Sequence, residues 1–134
     1  MNGDEGKTLA RRYFEEVINQ GNLAVADQIF ATDYIDHSAR PGSPTGPVAV
    51  KPVVAAFRVA FHELDETIED MVAEGDKVAL RFRAVGVHRG EFRGIAPTGR
   101  RVQWTGLVIL RVAGGKIVER WGAIDLFSIM QQIS

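Results

Sequence analysis

Between Lys7 and Asn19 the apolar residues Leu9, Ala10, Tyr13, Phe14, Val17 and Ile18 recur at helical spacing, with Arg11, Arg12, Glu15 and Glu16 opposite them. The pattern predicts an amphipathic helix. Gly21 and Asn22 stop it, and Asn22 is placed to cap a second helix over Leu23 to Phe30. Ala31 to His37 reads as too short and too polar for a core strand, and the proline- and glycine-rich SARPGSPTGP after it reads as a loop, mobile or a lid. A third helix is expected to reach about Leu64. Its regular part starts near Pro52, because proline fits a first turn and not a helix interior.

Beyond that helix the period changes to two. Strands are expected over Thr67 to Ala73, Lys77 to His88 and Arg101 to Val112, joined by a Gly75-Asp76 turn and a glycine-rich loop. In the second strand Val78, Leu80, Phe82, Ala84, Gly86 and His88 share one face and Arg81 and Arg83 the other, the pattern of a sheet with one side on a core. A Gly114-Gly115 turn then feeds GKIVERWGAIDLF. As a strand this places Glu119, Trp121, Ala123, Asp125 and Phe127 on one face and Val118, Arg120, Gly122, Ile124 and Leu126 on the other.

Three helices followed by a four-strand meander, with no alternating βαβ units, predict one α+β domain over residues 1–134. The expected shape is a cone-like curved antiparallel sheet covered on one face by the three N-terminal helices. Such a cone encloses a cavity, the usual place for a ligand. In Arg101 to Val112, Val108, Leu110 and Val112 alternate with Leu107 and Ile109, so both faces are apolar. The face without helices is therefore expected to pair two copies as a homodimer.

Composition narrows the function. A formal net charge of -1 and a pI near 6.3 leave no electrostatic footprint for nucleic acid. Without cysteine there is no disulfide, thiolate metal site or cysteine nucleophile. No apolar signal core or membrane-length run is present, which gives the expectation of an untargeted, soluble, cytoplasmic protein with no membrane partner. His37, His62 and His88 form no metal-ligand spacing, no GxSxG elbow occurs, and the glycine loop lacks the lysine of a phosphate-binding loop. No metal and no cofactor are expected.

Asp125, His88, Tyr34 and His37 are the polar residues that can reach the cavity. Asp125 has two readings. On the strand it lies beside Trp121 and Phe127, where desolvation raises a carboxyl's pKa and makes it a base. At the strand's end it caps a short helix over Leu126 to Gln132. Arg89, Arg93, Arg100 and Arg101 read as a solvated hairpin edge.

Four segments carry a resemblance across most of the chain: Asp36-His37, AEGDKVALRF at Ala73 to Phe82, VHRGEFRGIAPTGR at Val87 to Arg100, and GGKIVERWGAID at Gly114 to Asp125. In this order and spacing they resemble the SnoaL-like polyketide cyclase (ester cyclase) family of the nuclear transport factor 2-like superfamily. The resemblance implies cofactor-independent intramolecular aldol closure of a hydrophobic small-molecule substrate. It implies Asp125 as the base, through Trp121-x-x-x-Asp125, and His88 as donor or proton shuttle. His37 falls on the family's early histidine, and Tyr34, Trp104, Trp121, Phe82 and Phe127 would contact substrate. Two departures stand out: Phe61-His62-Glu63 replaces a common Phe-Pro-Asp, and Val87 replaces a threonine. An epoxide hydrolase or epoxide-opening cyclase, a ketosteroid-isomerase-like proton transfer, and a non-catalytic small-molecule-binding module are the alternatives.

Overall fold

A computed structural model describes residues 3–134. Helix α1, Gly3–Arg12, does not end where its hydrogen-bond pattern first changes. It widens into a π-helical stretch, Tyr13–Asn19, that closes with Gln20 N–H on Glu15 C=O at 3.1 Å. Tyr13, Phe14, Val17 and Ile18 are all buried there, as the sequence periodicity requires. The second helix is shorter than expected: a 3-10 turn, Leu23–Val25, runs into α2, Ala26–Ile29, and the Asn22 side chain makes no cap bond.

Phe30–Asp36 is a strand, β1, not the irregular segment its polarity suggests. It pairs in parallel with the last strand at one edge of the sheet, burying Phe30 and Tyr34 and exposing residues between them. An edge strand needs few apolar residues, and this one is polar because its outward positions face water. The loop after it returns along it, with Gly46 N–H on Tyr34 C=O at 2.8 Å.

Helix α3, Lys51–Ala60, carries Pro52 in its first turn and stops four residues earlier than predicted, since Phe61 is already extended at φ −122° and ψ 104°. β2 (Phe61–Glu74), β3 (Lys77–His88), β4 (Arg101–Ala113) and β5 (Lys116–Ile124) form the meander. With β1 they make a curved, unclosed five-stranded sheet in the order β1-β5-β4-β3-β2. The fold is the expected α+β architecture, with one strand more than the sequence suggested and one parallel pair in an otherwise antiparallel sheet.

Two irregularities shape the interior between helices and sheet. In β2, His62 pairs with Val87 and Asp65 with Val85, so β2 carries one extra residue there, and Glu63 takes a left-handed φ of 56°. This is a β-bulge. It turns Leu64 and Glu66 onto the same inner face as Phe61, where strict alternation would have sent them outward. In β4, a side chain at Gly106 would sit 2.5 Å from the Phe82 ring, so glycine makes the space that ring occupies.

β5 ends at Ile124, and Asp125 begins α4, Leu126–Gln132. The helix buries Ile129, with Ile133 just beyond it, and crosses β4 where β5 no longer pairs with it. Gln132 binds both backbone groups of Gln103 there, at 2.6 and 3.0 Å, in place of a neighbouring strand. Among the described residues no helix is long and apolar enough to cross a membrane.

Candidate functional site

Helices and sheet enclose a cavity of about 70 Å³, enough for a few waters. Phe14, Ile18, Phe57, Phe82, Trp104 and Ile124 supply apolar walls, while Tyr13, Glu66 and Arg120 supply the polar ones. Tyr13 comes from the π-helical stretch, Glu66 from the bulged part of β2, and Arg120 from β5. A larger groove of about 540 Å³ lies open to solvent along α1 and β2, lined by Lys7, Arg11, Glu15 and Asn19 among others. Phe14 and Glu66 border both spaces. We place the site in the smaller one, because enclosure strengthens every electrostatic interaction made inside it.

Glu66 is held through its backbone: its N–H donates to Asn19 Oδ1 at 2.7 Å, and Asn19 Nδ2 donates to its C=O at 2.9 Å. Burial pushes its carboxyl up to about 7, with Asp65 adding to the rise and Arg120 opposing it. A carboxyl near neutrality exchanges protons readily at physiological pH. Arg120 donates through Nη1 to Asp36 Oδ2 at 3.2 Å, while its buried Nε–H has no partner among the described residues. Burial works against the Arg120 charge, but the Asp36 carboxylate opposes it and the guanidinium stays protonated. Burial likewise pushes the Tyr13 and Tyr34 phenols well above their ordinary range.

The residues expected from sequence separate into groups. Phe82 and Trp104 do wall the cavity. Tyr34 is buried and packs edge-on to Phe30. His88 is fully buried at the end of β3 against Phe61, whose ring lies 4.8 Å from that of Trp104. Thr98 N–H donates to His88 Nδ1 at 3.2 Å, which leaves the ring proton on Nε2, and that atom has no partner among the described residues. On the last strand the cavity side carries Arg120 and Ile124, not Trp121.

His37 and Trp121 lie on the outer side. Their rings stack at 4.7 Å, and Glu119 bonds both His37 Nε2, at 2.6 Å, and Arg111. Those two donors hold the Glu119 carboxyl below its usual range, Arg111 contributing most. Phe127 is 72% exposed and lines neither the cavity nor the groove. Asp125 follows the capping reading: it is exposed, and its Oδ1 accepts from Ser128 N–H at 3.1 Å. The enclosure expected from strand alternation is absent because the strand ends one residue earlier. Asp125 borders an outer trough with Glu69, Arg81 and Thr105.

Sequence reasoning missed Glu66 and Arg120 as site residues, while Asp36, which could alternate with Tyr34 and His37 toward the cavity mouth or form the turn leaving the second helix, is the partner of Arg120. The signal for Arg120 was present: it alternates with Val118, Gly122 and Ile124, the more apolar face of its strand, whereas Glu119, Trp121 and Asp125 share the more polar one. Glu66 had no such signal, since a bulge is invisible to period counting.

Among solved structures, wild-type IdmH from Streptomyces antibioticus, a proposed polyketide cyclase, is 32% identical over 96% of each chain with a TM-score of 0.80. AclR from Streptomyces galilaeus, a proposed hydroxylase, is 27% identical over 98% of this chain and 97% of its own, with a TM-score of 0.86. TsrD from Streptomyces laurentii, at 22% identity, has the same fold with a TM-score of 0.91 over 100% of this chain and 98% of its own. A search among curated proteins found no significant match. The profile of the SnoaL-like polyketide cyclases spans residues 8–133, which takes in every element that builds the cavity after the start of α1, and the chain belongs to that family.

Proposed function

We propose that this protein is a cofactor-independent cyclase that closes a ring by intramolecular aldol addition, after a proton is taken α to a carbonyl. The observation that carries the reading is the make-up of the cavity: aromatic and aliphatic walls around one carboxyl and one guanidinium. Ring closure of a flexible carbonyl chain needs a folding surface, a group that cycles one proton, and a donor for developing oxygen charge. The cavity contains candidates for each. Its family membership and the likeness to IdmH favour a polyketide-like substrate.

A polyketide chain is larger than the closed cavity, so the walls must part for it. Val53 lines the cavity and is 56% exposed, which puts the mouth beside α3. Arg58 holds that helix to the π-helical stretch through the carbonyls of Ile18 and Asn19, at 2.8 and 2.7 Å. The proposal includes a homodimer through the outer sheet face, where Val72, Leu107 and Ile109 are 63%, 64% and 42% exposed.

The test is incubation of the purified protein with linear poly-β-ketone esters of graded length, followed by mass spectrometry. The expected product has the mass of the substrate, or that mass less one water, and forms faster than in buffer. Ile124→Trp fills the cavity and should abolish the acceleration without unfolding the sheet. Equal rates with and without protein across the whole series would refute the reading.

A further inference from the structure

We infer that Glu66 is the base of the cavity reaction and that the Arg120 Nε–H receives the oxygen on which charge develops; this rests on the cyclase reading. Position argues first. The bulge at Glu63 turns Glu66 inward, and Asn19 takes both of its backbone groups, so the residue is fixed while its carboxyl accepts no hydrogen bond among the described residues. Glu66 is half-buried and lines the aromatic-walled cavity, so its carboxyl is positioned to meet a ligand there without first giving up a protein donor.

Arg120 argues second. Asp36 lies behind the guanidinium and takes Nη1, which keeps the charge in place and orients the fork. Nε is buried, unpartnered among the described residues and on a side chain that lines the cavity. A buried N–H of a permanently charged group is a preformed donor for an enolate oxygen, and needs no reorganisation when charge arrives. The groups facing Glu66 are Arg120 from β5, Tyr13 from the π-helical stretch and Asp65 beside it on β2. Together they leave the carboxyl near neutrality, where it can both take and return a proton.

The third observation is access. Glu66 borders the narrow, apolar-walled cavity on one side and the solvent-open groove on the other, so its carboxyl can exchange a proton with water through the groove. Asp125 has neither feature, being exposed and occupied with the Ser128 N–H.

The step balances with one carboxyl. Glu66 takes a proton from a methylene between two carbonyls, and the C–H pair becomes the enolate, whose oxygen lies at Arg120 Nε. The α-carbon attacks a further carbonyl of the same chain, beyond the two that flank it, forming the C–C bond and an alkoxide. That alkoxide takes the proton back from Glu66, so the product is an isomer of the substrate and no other reactant is used. The cavity thus suits chains that carry a 1,3-dicarbonyl unit, a further carbonyl and apolar flanks.

The experiment is hydrogen–deuterium exchange at the methylene of ethyl acetoacetate in D2O, followed by NMR and corrected for buffer. Wild type should catalyse exchange with a rate that rises through about pH 7. Glu66→Gln should lose about 100-fold or more, along with that inflection. Glu66→Asp should keep part of the rate, and Asp125→Asn should leave it unchanged. Titration of the Glu66 carboxyl by carbon NMR, on folded protein, checks the group directly. Exchange in Glu66→Gln equal to wild type, or loss in Asp125→Asn alone, overturns the assignment while the cyclase reading stands. Absence of catalysed exchange in wild type overturns both.

Discussion

Replacing Glu66 by glutamine should make the fold more stable at neutral and alkaline pH, and the gain should vanish in acid. The carboxyl titrates at about 7 in the folded chain against an ordinary value of 4.5. That displacement corresponds to about 3 kcal/mol. The sign comes from proton counting. Below about pH 4.5 the group is protonated both folded and unfolded, and it adds no difference. Between about 4.5 and 7 the unfolded chain releases the proton that the folded chain retains, so stability falls with rising pH. Above about 7 both forms are ionised and the full cost of burying the charge is present. Glutamine has the same shape and no charge, so it removes that cost. Thermal and urea melts of wild type and Glu66→Gln from pH 4 to 9 measure it, and the difference curve isolates the one group. The expected gap opens from near zero at pH 4 to about 3 kcal/mol at pH 8, or on the order of 10 °C in a domain of this size. Parallel curves, or a gap of opposite sign, would show that the carboxyl is well solvated, and an enclosed site around Glu66 would be wrong.

Asp125→Ala removes the acceptor of the Ser128 N–H and should cost about 1 kcal/mol, a few degrees in Tm, whereas Asp125→Asn keeps an acceptor and should melt close to wild type. Gly106→Ala drives a methyl into the Phe82 ring, at 2.5 Å, and should cost about 1–3 kcal/mol while raising KM through a displaced cavity wall. Leu107→Asp puts a charge on the exposed apolar sheet face and should convert a dimer to monomer in sedimentation; wild type sedimenting as a monomer at micromolar concentration would remove the dimer. Dialysis against a chelator should leave turnover unchanged, and activity lost to chelation and restored by zinc or magnesium would remove the proton-transfer chemistry.

How far the sequence could be read depends on which elements are regular. β3 was legible to the residue, because Val78 to His88 alternates without interruption and buries one face. The capping role of Asp125 was legible as one of two readings, since aspartate before a short apolar stripe is a helix start. β1 was not legible. A parallel edge strand shows no hairpin turn, and Phe30 and Tyr34, its two buried aromatic anchors, are four residues apart with polar residues between them. The family resemblance identified the fold, but its motif led to the polar face of β5, because Trp121 looked like a wall and in fact stacks on His37 outside.

Of the polar residues of the cavity, Tyr13 and Arg120 lie on the faces that period counting assigns to the core, and Glu66 does not. Tyr13 enters from a stretch wound as a π-helix, Glu66 from a strand carrying an extra residue, and Arg120 from a strand whose register with β4 shifts between Arg111 and Val112. Regular helices and strands present apolar residues to a core because period and hydrophobicity agree; each of these elements carries an irregularity, and at Glu66 the irregularity itself turns the polar group inward. The bulge costs stability through a left-handed Glu63, and the buried Arg120 Nε–H adds the cost of a donor without a partner among the described residues. Those costs meet in one enclosed volume. If they served packing alone, an apolar residue at 66 or 120 would fill the space with no buried charge to neutralise. Their convergence on a single cavity is what a proton-transfer site needs, and it is the reason the chemistry is assigned to Glu66 and Arg120 instead of to the well-satisfied aspartate at the start of α4.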